Sequence, residues 1–270
     1  MLKQRIITAL ILAPLAIWAI LGLSHEHFRG LILVVAAMAA WEWSRLVGWN
    51  GVFAHIAYVS VVIVVIVSLE LQLRTQRNLD AVLLVALCWW LLSLSMVARY
   101  PLGSEFWRRH AVARALAGFL VLIPMWLGLS LIHAAPGPAY VLVLMMLVWG
   151  ADTGAYFAGR RFGRRKLAPH VSPGKSWEGV MGGMVMTVVV AAVSSWILKP
   201  MMGTPLFILL SLVTVAFSII GDLQESMFKR MVDLKDSGGL LPGHGGMLDR
   251  IDSLTAAAPI FALGVAWLNG

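Results

Sequence analysis

The chain has 270 residues, 60% hydrophobic and 13% charged, with a mean hydropathy of +0.86 and a formal net charge of +8. That balance excludes an ordinary soluble domain, and repeated apolar runs of about 18 to 20 residues mark transmembrane helices instead. The single cysteine, Cys88, sits inside an apolar run, which excludes an intrachain disulfide framework and a cysteine-based metal site.

Lys3 and Arg5 precede an apolar run from Ile6 to about Leu23. No small-x-small cleavage site follows in SHEHFRG, so this run reads as an uncleaved first helix. Further spans are expected at about 31–47, 54–72, 80–98, 114–133, 139–158, 179–198, 205–222 and 253–269. The expected fold is therefore all-α, a polytopic membrane protein of about nine transmembrane helices with its N-terminus in the cytoplasm. That topology puts 17 Lys and Arg on the cytoplasmic side and 4 on the other, as the positive-inside rule requires. The basic loops favour anionic lipid headgroups, and the charge needs no nucleic-acid partner.

Residues 1–110 read as an N-terminal transmembrane bundle. Within it Glu42, in WEWSR, is expected to pair with Arg45 at i+3. Residues 111–270 read as a catalytic transmembrane region with cytoplasmic loops at 159–178 and 223–252. Asp152 lies in the cytoplasmic half of the sixth span, where an acid is costly unless paired, hydrated or bound to metal. Topology alone explains the basic run GRRFGRRK that follows. The Gly174-Lys175-Ser176 sequence resembles the end of a Walker A motif, but Pro169 stands where the first glycine belongs and no strand is expected before it. What remains is a glycine turn presenting Lys175 and the hydroxyls of Ser172 and Ser176 at a helix start, a phosphate-binding arrangement.

Charge is most concentrated between Asp222 and Asp252, which hold five Asp, one Glu, two Lys, two Arg and a His. Asp222, Glu225 and Lys229 share a face if the preceding helix continues through them, and Asp249 and Asp252 share another. Two helices would then assemble three carboxylates, hard ligands suited to Mg²⁺, with Lys229, Arg230, Lys235 and Arg250 near enough in sequence to neutralise substrate phosphates. Between the clusters Gly238, Gly239, Gly243, Gly245 and Gly246 flank Pro242 and His244, a loop whose backbone N–H groups can approach an anion closely. Residues alone thus reach a metal-assisted phosphate site at the cytoplasmic face. A membrane kinase of the polyprenol type and an ion-coupled transporter using Asp152 and Asp222 stay open at this point.

The run Ser226-Met-Phe-Lys229-Arg230, Lys235-Asp236, Pro242-Gly-His244-Gly245-Gly246 and Asp249-Arg250-Ile-Asp252 resembles the signature of the phosphatidate cytidylyltransferases, or CDP-diacylglycerol synthases, over 27 residues. Asp152-Thr-Gly-Ala-Tyr156 and Ser172-Pro-Gly-Lys175-Ser176-Trp-Glu178-Gly179 extend the resemblance. It implies transfer of CMP from CTP to phosphatidic acid, yielding CDP-diacylglycerol and pyrophosphate. It further implies that Asp222, Asp249 and Asp252 hold Mg²⁺, with a second cation allowed, and that Lys175, Lys229, Arg230 and Arg250 contact phosphates. Lys235, Asp236 and His244 would belong to the catalytic loop; Asp152, Ser172, Gly174, Ser176, Glu178, Gly245 and Gly246 would bind substrate. The resemblance also implies a homodimer, while the charge distribution places the active site at the cytoplasmic face and a compact chain with no organellar targeting segment is expected in a bacterial inner membrane.

Overall fold

The computed structural model describes residues 2–49, 51–72, 76–239 and 245–269. Among them run helices α1 (Leu2–Gly22), α2 (His25–Leu46), α3 (Val52–Gln72), α4 (Gln76–Arg99), a short α5 (Ser104–Arg109), α6 (Ala111–Ala134), α7 (Pro138–Phe162), α8 (Trp177–Leu198), α9 (Thr204–Met231) and α10 (Leu248–Asn269). Strands β1 (Lys166–Ala168) and β2 (Ser172–Ser176) form an antiparallel hairpin between α7 and α8. Seven of these helices, α3, α4 and α6 to α10, are long and apolar enough to cross a membrane. The chain is an integral, polytopic, predominantly helical membrane protein.

The all-α expectation needs one correction. The Pro- and Gly-containing segment after α7 is a β-hairpin, closed at its base by the Trp177 N–H donating to the Arg165 carbonyl. Helix ends also extend beyond the apolar runs, because polar residues continue a helix once neighbouring helices support it. Helix α9 continues nine residues past Asp222 to Met231, and α10 begins at Leu248, so Asp249 and Asp252 occupy its first turns.

Helices α6 and α10 form the centre, with 78% and 72% of their spanning windows buried against the chain, whereas α3 buries only 17%. Apolar side chains such as Val61, Val64, Val185 and Trp196 face outward, as expected where the solvent is hydrocarbon. In that solvent helices associate through close packing, and small residues mark the seams. A Cβ on Gly128 of α6 would strike the Ala258 backbone of α10, and one on Gly221 of α9 would strike the Asp252 carbonyl. The longest seam joins α7 and α8. There Gly154 lies against the Gly182 carbonyl, Gly183 against the Ala151 carbonyl and Gly179 against the Ala155 carbonyl.

Arg114, at the start of α6, gathers one end of the bundle. Its buried guanidinium donates to the carbonyls of Trp107, Arg108 and Val47, satisfying chain ends that no helix bonds. At the opposite end Arg29 pairs with Glu70 and lies over the Trp126 ring, and His133 contacts the Ile20 carbonyl and His25. The connections after α2, α4, α7 and α9 all lie at the Arg114 end, and so does the charged site.

Candidate active site

Three elements meet in this site. The β1–β2 hairpin carries Lys175, the C-terminal third of α9 carries Asp222, Glu225 and Lys229, and the first turns of α10 carry Asp249 and Asp252. Gly221 is required for this meeting, because any side chain there would hold α9 off the Asp252 backbone.

Lys175 Nζ donates to Asp222 Oδ2 at 2.6 Å, bridging hairpin and helix. Ser226 Oγ donates to the other Asp222 oxygen at 3.3 Å. One turn further along α9, Lys229 Nζ donates to Asp249 Oδ1 at 2.6 Å and lies 3.3 Å from Glu225. The face expected of Asp222, Glu225 and Lys229 is present, and α10 supplies its counterpart. Asp252 accepts from the Ser253 N–H at 2.6 Å and lies in electrostatic range of Asp222, Lys175 and Lys229.

The glycine loop folds around carboxylates belonging to the protein. Asp249 Oδ2 accepts from the Gly246 N–H at 2.8 Å and the Ser237 N–H at 3.0 Å. Gly245 reaches this arrangement with φ at +78°, in the left-handed region that favours glycine. Glu42 enters from α2, some 200 residues away in sequence. Its side chain accepts from Ser237 Oγ at 3.0 Å, the Met247 N–H at 3.0 Å and the Leu248 N–H at 2.8 Å, capping α10 and fastening both ends of the loop. A Cβ on Gly238 or Gly246 would collide with that carboxylate, so the two glycines are needed to wrap it. The expected Glu42–Arg45 pair is thus absent. Burial behind the loop gives Glu42 stronger partners than an exposed arginine one turn away.

Beside the Lys175–Asp222 bridge is a cavity of about 210 Å³. Asp152 and Tyr156 of α7 open onto it with Gly174 and Lys175 of the hairpin and Gly183 of α8. Asp152 lies in electrostatic range of both Asp222 and Lys175. Ser172 sits at the start of β2, in register with Ala168. Ser176 and Glu178 do local work here: Ser176 Oγ caps α8 by accepting from the Gly179 N–H at 3.1 Å, and Glu178 accepts from the Arg164 and Arg165 N–H groups. Arg230 is exposed and its Nε donates to the Val171 carbonyl at 3.4 Å, tying α9 to the hairpin. Lys235, Asp236 and Arg250 are exposed around the loop, and His244 lies outside the described residues.

The donor set suits a hard cation. Among the described residues, Asp152, Asp222, Glu225, Asp249 and Asp252 gather around the ammonium groups of Lys175 and Lys229. Both Glu225 oxygens are buried, with Oε1 3.3 Å from Lys229 Nζ and the Asp252 carboxyl group beside them. Among the described residues no three such groups are closed into a ready metal cage. Mg²⁺ does not demand one, since it commonly takes one or two carboxylates together with substrate phosphates and water.

Sequence reasoning gave Glu42 the wrong partner and passed over Ser237. Glu42 left a signal in being an acid within an apolar helix, but spacing along α2 had no means of naming a partner in another part of the chain.

Comparison of the sequence with known proteins finds relatives over the whole chain. A model of the "Cytidylyltransferase family" matches residues 3–268. A phosphatidate cytidylyltransferase of Pseudomonas aeruginosa is 48% identical over 272 residues, covering 100% of this chain and 98% of its own length. One from Haemophilus influenzae is 40% identical, covering 97% of this chain and 98% of its own length.

Proposed function

The chain belongs to the cytidylyltransferase family, and from that premise we propose that it is a CTP:phosphatidate cytidylyltransferase working in phospholipid synthesis. A phosphate oxygen of phosphatidate attacks the α-phosphorus of CTP. The new P–O bond forms as the bond from that phosphorus to the β-phosphate bridging oxygen breaks, so pyrophosphate leaves with the electron pair and CDP-diacylglycerol remains. Both reactants are polyanions, and catalysis consists of positioning them and neutralising their charge.

The observation that carries this reading is the pairing of Lys175 with Asp222 and Lys229 with Asp249 beside a glycine loop and a cavity. Each lysine is held ready by a carboxylate and can exchange it for a phosphate oxygen as substrate enters. Arg230 and Arg250, exposed at the rim, meet the outer phosphates. Asp222, Asp249 and Asp252, joined by the buried carboxyl group of Glu225, are the residues that would hold Mg²⁺. When bound, that ion supplies charge neutralisation across the phosphates. The excess of carboxylates over lysines leaves room for a second cation.

We read nine spans with the N-terminus in the cytoplasm, from the 17 to 4 distribution of Lys and Arg, in a bacterial inner membrane. The site then opens to the cytoplasm, where CTP is. The family resemblance adds a homodimer.

CTP labelled at the α-phosphate, incubated with phosphatidate and the detergent-solubilised chain, tests the reading. Label is expected in lipid only when phosphatidate and Mg²⁺ are both present. Transfer of the γ-phosphate to a polyprenol, with CDP released, would overturn it in favour of a kinase.

A further inference from the structure

Next to the glycine loop, α2 and α3 leave a groove of about 710 Å³ whose occupant the reaction scheme above does not assign. Its wall on α2 is one helical stripe of Val34, Ala37, Met38, Trp41 and Arg45, with Glu42 beside Arg45 at the charged end. Val59 faces that stripe from α3, and Gly239 of the loop closes the charged end. From Val34 to Arg45 the helix rises roughly 16 Å at 1.5 Å per residue. That is about half the ~30 Å hydrocarbon thickness, the depth of one leaflet. The groove therefore runs from mid-bilayer to headgroup level and stops beside the loop that holds Asp249.

Three features say what fits there. The deep part is apolar, and α3 is so little buried that the groove opens sideways to lipid. Arg45, at headgroup level, is exposed and has no carboxylate partner among the described residues. Glu42, the acid expected to neutralise it, is taken up by Ser237, Met247 and Leu248. An acyl chain with an anionic head matches both ends. A second copy of the chain would match only the apolar part and would leave the arginine without a counter-charge.

We propose that this groove seats the lipid substrate. One acyl chain lies along Val34, Ala37 and Met38, and the phosphomonoester rests between the Arg45 guanidinium and the loop at Gly239. The groove would then deliver the nucleophile from one side of the loop, while the Asp152–Lys175 cavity lies on the other flank of the charged cluster. The assignment rests on the reading that phosphatidate is the acceptor.

The test is photolabelling of the full chain with phosphatidate carrying a diazirine in one acyl chain, followed by peptide mapping, with CTP transfer measured in parallel. Label is expected on α2 and α3, competed by unlabelled phosphatidate far better than by phosphatidylcholine. Arg45→Gln, which loses a charge-assisted contact, should raise KM for phosphatidate about tenfold and leave KM for CTP unchanged. Ala37→Trp, which fills the groove, should reduce labelling without touching the headgroup contact. Label concentrated on α7 and α8, equal competition by phosphatidylcholine, or cross-links joining α2 of two copies would each overturn the proposal. Failure of the underlying reading looks different. A wild-type chain that labels in the groove but transfers no CMP keeps an anionic-lipid site and loses the reaction, whereas one that transfers CMP and labels elsewhere loses only the groove.

Discussion

Replacing Glu42 by alanine removes the acceptor for three donors, the Ser237 hydroxyl and the Met247 and Leu248 amides, at 3.0, 3.0 and 2.8 Å. Glu42 is only 3% exposed, so water reaches those donors only if the loop opens. Hydrogen bonds to a charged group contribute about 1.5–3 kcal/mol each, and an opened loop recovers part of that from solvent. A net loss of about 3 kcal/mol in the closed loop follows, which at ~1.4 kcal/mol per tenfold lowers its closing equilibrium constant roughly 100-fold. Amide exchange at Gly246, Met247 and Leu248 should accelerate by about that factor in hydrogen–deuterium exchange, and kcat for CMP transfer should fall at least ~10-fold. Far-UV circular dichroism should change little, because within the helices the contact serves only the first turn of α10. Glu42→Gln sharpens the test. The amide oxygen can serve Ser237 and Leu248, but its NH2 then faces the Met247 N–H, donor against donor, so the variant should fall between wild type and alanine. If Glu42→Ala keeps kcat within about twofold with unchanged exchange of these amides, the carboxylate does not hold the loop and the reasoning fails.

Three further outcomes follow from the same geometry. Asp249→Asn keeps shape but faces Lys229, Ser237 N–H and Gly246 N–H with a group carrying donors of its own; turnover should be lost in a folded protein, and near-normal transfer would remove Asp249 from the site. Gly238→Ala should lower the thermal midpoint because its Cβ meets Glu42, whereas Gly239→Ala, with open space around it, should leave the midpoint unchanged, and equal shifts would contradict the wrapping of Glu42. Gly182→Val, which forces α7 and α8 apart, should destabilise by about 1–3 kcal/mol in a thermal or denaturant assay in detergent, and an unchanged midpoint would mean the seam is not close-packed.

Much of the architecture was legible because apolar runs of membrane length leave a chain few choices. The continuation of α9 through Lys229 was only half legible: Asp222, Glu225 and Lys229 make one stripe only on a helix, but the apolar run ends at 222 and the reading of 223–252 as a loop stopped the helix there. The pairing of Lys229 with Asp249 followed no pattern along the sequence, but both residues stood in the segment singled out for its charge. Glu42 was misread because i+3 spacing names neighbours within a helix and nothing names a partner across the fold. The hairpin at Lys166–Ser176 was hidden by its basic residues, which topology explained well enough that no further structure was sought. Ser176 and Glu178 carried a local signal that went unused, a serine and an acid at the start of a helix, the ordinary marks of capping.

The α7–α8 seam gives the cavity beside Lys175 an unusual kind of wall. Where two helices touch through glycine and carbonyl groups, the gap between them is set by the main chain and not by rotamers. Thermal hopping of long side chains, which widens and narrows most pockets, has little to act on along such a wall. That wall then works as a fixed gauge, and any adjustment to a ligand's size falls to Asp152, Tyr156 and Lys175 on the other sides of the cavity.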